Sequence, residues 1–321
     1  MKQLFLFLVA IATFQVSCKQ EVAKPVVLAE NISYSVFAEN NDGNLPILSQ
    51  FYFSDFTSAI LENIKNNKVQ AHEFAGSNSM TFDKINENIQ NIITQNSLQK
   101  SPKECLNELI FNESWILDTA TFKIEKKVKD ISFAIRYLIP IDSISSQFVK
   151  EPIFTVMLND SLNSENLKTL SIKAEYIVKL SSCDSLFTKL TGFDTKSFAK
   201  SLINKALENK ITPYDYFSES PKILSINDIL VSLGATTDSV AIENVENGEN
   251  EVKVVKNEIV YEEVTELVFI EKWTFDYEKN IFSKEILGYG PVREYFKPYI
   301  EEMKVKSVPF ILRFDVPKKN S

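Results

Sequence analysis

The 321-residue chain has few of the residues on which most catalytic and nucleotide-binding sites depend. Glycine accounts for 7 of the 321 residues, a fraction well below the usual ~7%. Few glycines are therefore available for the glycine-rich turns that bind phosphates. The single histidine, His72, excludes a His-pair zinc site, and we interpret it as an ordinary half-exposed residue. A net charge of −8 argues against nucleic acid. We therefore predict a non-enzymatic globular protein without catalytic residues, metal, cofactor or nucleotide.

Long apolar runs are also scarce, and the one at the start of the chain has a specific meaning. Leu4–Phe14 follows a basic residue and, at about 11 residues, is too short to span a bilayer, which is typical of a secretory signal. Ser17-Cys18 then resembles a bacterial lipobox, although Gln15 stands where that pattern usually has Leu. We predict a signal peptide over residues 1–17 and lipidation of Cys18; a soluble secreted product is the alternative.

The two remaining cysteines leave their redox state open. Cys105 and Cys183 both have apolar neighbours in the sequence. In an oxidising envelope they would form a disulfide, and as buried thiols they would stay reduced.

The chain carries the same pattern twice. Phe56, Ile60 and Ile64 have the spacing of one helical face, and Phe198 opens a matching stretch 142 residues later. In both stretches an Asn-Lys pair and then Val or Ile follow the predicted helix. A second helix follows each, beginning at Phe82 in the first copy and capped by Ser225 in the second.

A change of period after these helices predicts strands. Trp115 and Asp118 match Trp273 and Asp276 at an offset of 158 residues. Residues 131–139 alternate strictly, which predicts a strand with one buried face. Further along, Pro152 and Pro309 each open a predicted final short strand.

These elements predict an α+β fold of two tandem related domains, each with N-terminal helices followed by an antiparallel sheet. We place a lipid-anchored tether and lead-in at residues 18–45, the first unit at 46–185 and the second at 190–316. Residues 167–180 fit both helical and strand spacing, and we assign them to the end of the first unit. The acidic stretch 240–263 is interpreted as a surface insertion feeding a β-ribbon, with a partner-binding acidic loop as the alternative.

The matched residues are candidate anchors of the repeat rather than of a reaction. Trp115 and Trp273 are expected in the core of each sheet. Asp118 and Asp276 are expected to cap turns, because a hydrolase would need two carboxylates around one bond. The full set of predicted anchors is Phe56, Trp115, Asp118, Phe198, Trp273 and Asp276. Arg136 and Arg293 also match and are expected to pair with local acidic residues.

The second half resembles a known family. Glu271, Trp273, Phe275 and Asp276, followed by Leu287-Gly288 and Pro291, reproduce the Glu-x-Trp-x-Phe-Asp stretch and the Ile-Gly-x-x-Pro strand of the GldN family, also called PorN. The first half shows the pattern more faintly, through Glu113, Trp115 and Asp118. As the notable departures, GldN-like proteins have one copy of the unit and rely on a partner lipoprotein, GldK, instead of a lipobox of their own.

The resemblance implies a scaffold of the gliding-motility and type IX secretion machinery on the periplasmic side of the outer membrane. We therefore expect a lipid-anchored, non-enzymatic envelope protein whose partners are other envelope proteins, such as ring lipoproteins of that machinery. The alternative is a binding lipoprotein that holds peptide or glycan in a cleft between its two domains.

Overall fold

The computed structural model describes residues 25–37, 53–142, 145–158, 169–179, 194–235, 237–243, 250–296 and 303–316. Within these residues the fold is α+β, as predicted, with helices and two antiparallel sheets of six and five strands. The predicted signal peptide, Cys18 and Cys183 lie outside the described residues. Among the described helices, none has the length and apolar character needed to cross a bilayer.

The first sheet has the strand order β1-β4-β5-β6-β2-β3. Its helices come between the first strand and the long central strands, and all of its named pairings are antiparallel. In chain order its elements are β1 (Val26–Phe37), α1 (Phe53–Lys65), β2 (Ala71–His72), β3 (Ser79–Met80), α2 (Phe82–Gln95), α3 (Pro102–Cys105), β4 (Leu106–Leu117), β5 (Ile124–Pro140) and β6 (Ser146–Val156).

The second sheet has the order β7-β10-β11-β12, with β13 also paired to β11. A two-stranded ribbon, β8 with β9, overlaps the first part of the acidic stretch, which agrees with the predicted β-ribbon. The elements are β7 (Thr169–Lys179), α4 (Thr195–Leu207), α5 (Ile226–Ser232), β8 (Thr237–Glu243), β9 (Asn250–Lys256), a 3₁₀ turn (Tyr261–Glu263), β10 (Val264–Asp276), β11 (Ile281–Phe296), β12 (Lys304–Ser307) and β13 (Leu312–Arg313).

Helices α2 and α5 begin where the sequence predicts them. The Thr81 hydroxyl accepts the Lys84 amide at the start of α2, and Ser225 forms a capping box with Asp228 at the start of α5. Gly234 ends that segment with a left-handed φ of 83°, a conformation that favours glycine.

Two of the predicted boundaries were wrong. Val26–Phe37, placed in the tether, is an edge strand of the first sheet, because Ile32, Tyr34 and Val36 alternate into the core against β4. Residues 167–180, placed at the end of the first unit, contain β7, which pairs with β10 of the second sheet. The first sheet thus ends with β6, and the second begins with β7.

Two smaller expectations about strands also needed correction. Pro152 does not open a short strand but lies inside β6, where the pairing with β5 shifts, since proline has no N–H to donate to a ladder. In β5, every residue from Ile131 to Ile135 is buried, so both faces are covered there rather than one.

The two sheets face each other and share one hydrophobic core. Phe56 of α1 contacts Phe133 of the first sheet at a centroid distance of 5.6 Å and Phe275 of the second at 5.0 Å. From the other side, Phe198 of α4 stacks on Phe122 of the first sheet's β4–β5 turn at 6.1 Å. Helices α1 and α4 therefore each contact both sheets, and the two sheets are interlocked.

A buried ionic cluster as candidate functional site

Six polar side chains meet where the two sheets face each other. Each sheet contributes a tyrosine from its edge strand, a glutamate from the next strand and a lysine from the strand after that. In both sheets the pairing shifts by one residue immediately before the glutamate, a β-bulge that sets its direction. The ionic cluster consists of Tyr34, Glu113 and Lys126 from the first sheet and Tyr176, Glu271 and Lys284 from the second.

The glutamate of each sheet is held by donors of its own sheet. Glu113 Oε2 accepts the Trp115 indole N–H at 2.9 Å and the Tyr34 hydroxyl at 2.8 Å. In the second sheet, Glu271 Oε2 accepts the Trp273 indole at 2.6 Å and the Tyr176 hydroxyl at 2.7 Å. Donors of its own sheet thus orient each carboxylate, independently of the lysine that pairs with it.

The lysines form ion pairs across the seam, which is the contact surface between the two sheets. Lys284 Nζ lies 2.6 Å from Glu113 Oε1, and Lys126 Nζ lies 2.8 Å from Glu271 Oε1. The four side chains are fully buried. Because an isolated charge in such a place costs several kcal/mol, each ion pair needs the opposite sheet for its completion.

Aromatic rings enclose the two ammonium groups. Lys126 Nζ lies 3.2 Å from the centroid of the Phe269 ring, and Lys284 Nζ lies 3.1 Å from that of Phe111. Electrostatic attraction to the ring faces adds to the ion pairs. At the centre, the hydroxyl oxygens of Tyr34 and Tyr176 are 2.9 Å apart, and their rings stack at 5.8 Å.

Burial and neighbouring charges shift the pKa values of the two lysines, the two tyrosines and Glu271. Burial lowers the pKa of Lys284 to about 8 and also lowers the pKa of Lys126, against the pull of the carboxylates. Burial alone would raise the pKa of Glu271, but the two ammonium groups outweigh it and bring that pKa below its usual value. For Tyr34 and Tyr176, burial and then the nearby carboxylates raise the pKa well above 10.

Further contacts recur at matching distances along the chain. Glu108 pairs with Lys150 at 2.5 Å, and Glu266, 158 residues after Glu108, pairs with Lys306 at 3.0 Å. The turns of the two central hairpins also match, since Phe122 and Asn280 both have left-handed φ values, of 58° and 55°.

The structure places four of the candidate anchors in the core or in hairpin turns. Trp115 and Trp273 are buried and supply indole donors to the cluster. The carboxylate of Asp118 accepts the Ala120 amide at 2.9 Å, and that of Asp276 accepts the Glu278 amide at 2.9 Å. Both aspartates are therefore turn residues at the ends of different hairpins.

The other matched residues also have structural contacts. Arg293 Nε donates to Glu263 at 2.6 Å, as expected for a local pair. The Arg136 guanidinium instead stacks over the rings of Phe37 and Phe148, at 4.5 and 4.1 Å. His72 is half-exposed in β2, as predicted.

Neither cysteine nor metal chemistry is evident in the described residues. Cys105 is a buried free thiol, and burial raises its pKa. No group of His, Cys, Asp and Glu within the described ranges has the arrangement to hold a metal ion.

The sequence motifs include both glutamates of the ionic cluster, but they do not identify its lysines and tyrosines. A signal was present, because Lys126 lies between the inward-facing Ile124 and Val128 of an alternating strand. Adding 158 places it on Lys284, again at an inward position. A lysine at the matching inward-facing strand position of both copies indicates a buried ion pair.

The comparisons with known proteins bear on the second half. The family model of the gliding motility associated protein GldN matches residues 184–316. This segment is a GldN family domain. The GldN domain contains Glu271, Trp273 and Lys284, whereas β7, which completes its sheet, precedes the matched residues. No curated protein matches the chain.

The matched family is described as gliding motility associated, and its members are in general non-catalytic components. The geometry of the ionic cluster fits such a role, because its charges neutralise one another and are sealed from solvent. The seam between the sheets is filled by these side chains and by rings such as Phe111 and Trp273, 5.0 Å apart. This packing counts against a ligand held between the two units.

A groove of about 430 Å³ lies elsewhere, beside the short strands of the first sheet. Its walls include Ile64, Lys65, Met80 and Phe82, and the Lys65 ammonium already lies 5.8 Å from the Phe82 ring.

Proposed function

We propose that this protein is a non-enzymatic scaffold of the gliding-motility and type IX secretion machinery, anchored in the outer membrane by lipid on Cys18 and facing the periplasm. The observation that carries the proposal is the GldN domain, whose motif residues Glu271 and Trp273 serve packing between units rather than a reachable reaction centre. Its partners are other envelope proteins of that machinery.

We further propose that the body of the protein is an internal repeat, with units at residues 25–158 and 169–316. Supporting this, the tyrosine, glutamate and lysine of the ionic cluster, and the tryptophan that donates to each glutamate, recur in the same order and with the same partners. The paired β-bulges and the two left-handed hairpin turns are equally repeated. An interlocked body is suited to transmitting position and force between partners, because helices α1 and α4 each contact both sheets.

Metabolic labelling with a palmitate analogue tests the anchor. Wild-type protein and the Cys105→Ala control should incorporate label and sediment with membranes, whereas Cys18→Ala should not. Labelling of Cys18→Ala equal to that of the wild type would refute lipidation at this residue.

Crosslinking in cells, followed by purification from membranes, tests the scaffold role. We expect envelope proteins of the secretion and motility apparatus to be recovered, and cells lacking the chain to lose gliding or secretion. Recovery of no envelope partner, together with normal gliding and secretion in the deletion strain, would contradict the proposal.

A further inference from the structure

Every central contact across the seam occurs in both directions. Lys126 of the first unit meets Glu271 of the second, and Lys284 of the second meets Glu113 of the first, at 2.8 and 2.6 Å. Each unit therefore presents both a cation and its acceptor on one face.

The aromatic contacts around the ionic cluster are exchanged in the same manner. Phe111 meets Trp273 at 5.0 Å with an interplanar angle of 71°, and Trp115 meets Phe269 at 5.2 Å with an angle of 68°. If a second copy of the second unit replaced the first unit, Lys284 would meet Glu271 and Phe269 would meet Trp273. The face has the reciprocity of an isologous dimer interface.

We propose that the seam face of the GldN domain, completed by β7, is a self-complementary association surface whose partner is a second GldN-like unit, including the same unit of a second copy of this chain. In the intact chain the first unit occupies this surface. The protein is thus a covalently linked counterpart of a dimer.

The periphery of the seam selects the first unit as the preferred occupant. The Asn63 amide of α1 donates to Asn280 Oδ1 at 2.7 Å and to the Tyr277 carbonyl at 2.7 Å. Phe198 of α4 stacks on Phe122, the residue that matches Asn280. In a pair of two second units Phe198 would face Asn280 and lose this stacking. The ionic cluster can therefore bind any GldN-like unit, and the helix contacts favour the first unit over a second copy of the second unit.

The test uses the full chain with a protease site inserted between Asn159 and Lys168. The protein is cleaved, unfolded in guanidinium, refolded, and analysed by native mass spectrometry. We expect pairs of first with second unit to dominate and pairs of two second units to be present. Refolding that returns only mixed pairs, or no folded pairs, overturns the proposal, because a self-complementary face also pairs with a second copy of itself when the linker is cut.

Two matched variants make the test specific. Lys284→Met removes both cations from a pair of second units but one from a mixed pair, so it should lower the share of second-unit pairs. Lys126→Met removes one cation from a mixed pair and none from a pair of second units, so it should raise that share. Each shift should be on the order of a hundredfold or more, since an unpaired buried glutamate remains. Equal responses to the two substitutions would refute the proposal.

This pairing experiment involves neither membranes nor motility. Its failure would leave the proposed scaffold function intact, and failure of the labelling and crosslinking tests would leave the association surface intact.

Discussion

The ion pair between Glu113 and Lys284 joins residues 171 positions apart in the sequence, and its removal should destabilise the whole fold. Glu113→Gln keeps an oxygen for the Trp115 and Tyr34 donors but removes the charge that faces Lys284. Breaking a buried pair in this way costs about 3–5 kcal/mol, because the remaining charge is left unpaired. That is a large part of the ~5–15 kcal/mol that separates folded from unfolded states in a typical domain.

A double-mutant cycle isolates the pair. Lys284→Met alone should cost about as much as Glu113→Gln, whereas the double variant should cost at least ~2 kcal/mol less than the sum. Urea unfolding followed by tryptophan fluorescence is the assay, because the chain's two tryptophans, Trp115 and Trp273, both donate to the ionic cluster.

An exposed pair provides the control for this cycle. Lys84 and Glu87 are 2.9 Å apart with more than half of each side chain exposed, so Glu87→Gln should cost no more than ~0.5 kcal/mol. Additive single effects of less than ~1 kcal/mol at Glu113 and Lys284 would refute the reasoning that the pair holds the sheets together.

Three further predictions concern packing, pH and capping. Gly290→Ala should cost ~3 kcal/mol or more in urea unfolding, because its new Cβ would overlap the Phe310 carbonyl oxygen. The control Gly76→Ala, with Glu73 side-chain contacts of 3.3 Å or more, should cost far less, and equal effects would contradict the packing argument. Because the folded-state pKa of Lys284, about 8, lies below its unfolded value, the unfolded state binds more protons between pH 8 and 10. The Lys284 contribution to stability should therefore rise with pH there, by at most about 1.4 kcal/mol per pH unit. A flat profile would contradict the lowered pKa, and Lys284→Met should reduce the rise. Ser225→Ala should cost ~1 kcal/mol through loss of the α5 cap, and an unchanged urea midpoint would argue against that role.

The sequence predicted the local elements better than their assembly. The spacing of Phe56, Ile60 and Ile64 identifies α1, and Ser225 with Gly234 marks both ends of the α5 segment, because periodicity and caps act within a few residues. Which sheet takes an edge strand is a different matter. The alternation in β7 fits either sheet, and only pairing with β10 decides it.

The ionic cluster escaped sequence analysis for a related reason. Glu113 and Glu271 were visible in motifs, but a lysine such as Lys126, in a run of charged residues from Lys123 to Lys129, looks like part of a solvated strand face. Its partner is 145 residues away in the other sheet (271 − 126), a distance over which periodicity carries no information.

The reciprocal pairing across the seam also fixes when the core can be completed. Glu113 leaves the ribosome 171 residues before Lys284, its cation, which corresponds to roughly 10–30 seconds of synthesis. During that interval the Glu113 carboxylate and several aromatic rings of the first sheet lack their contacts, because the second sheet has not yet been synthesised. Completion of the core is therefore a late event in the life of the chain, and a factor that shields the half-finished face during this wait would raise the yield of folded protein.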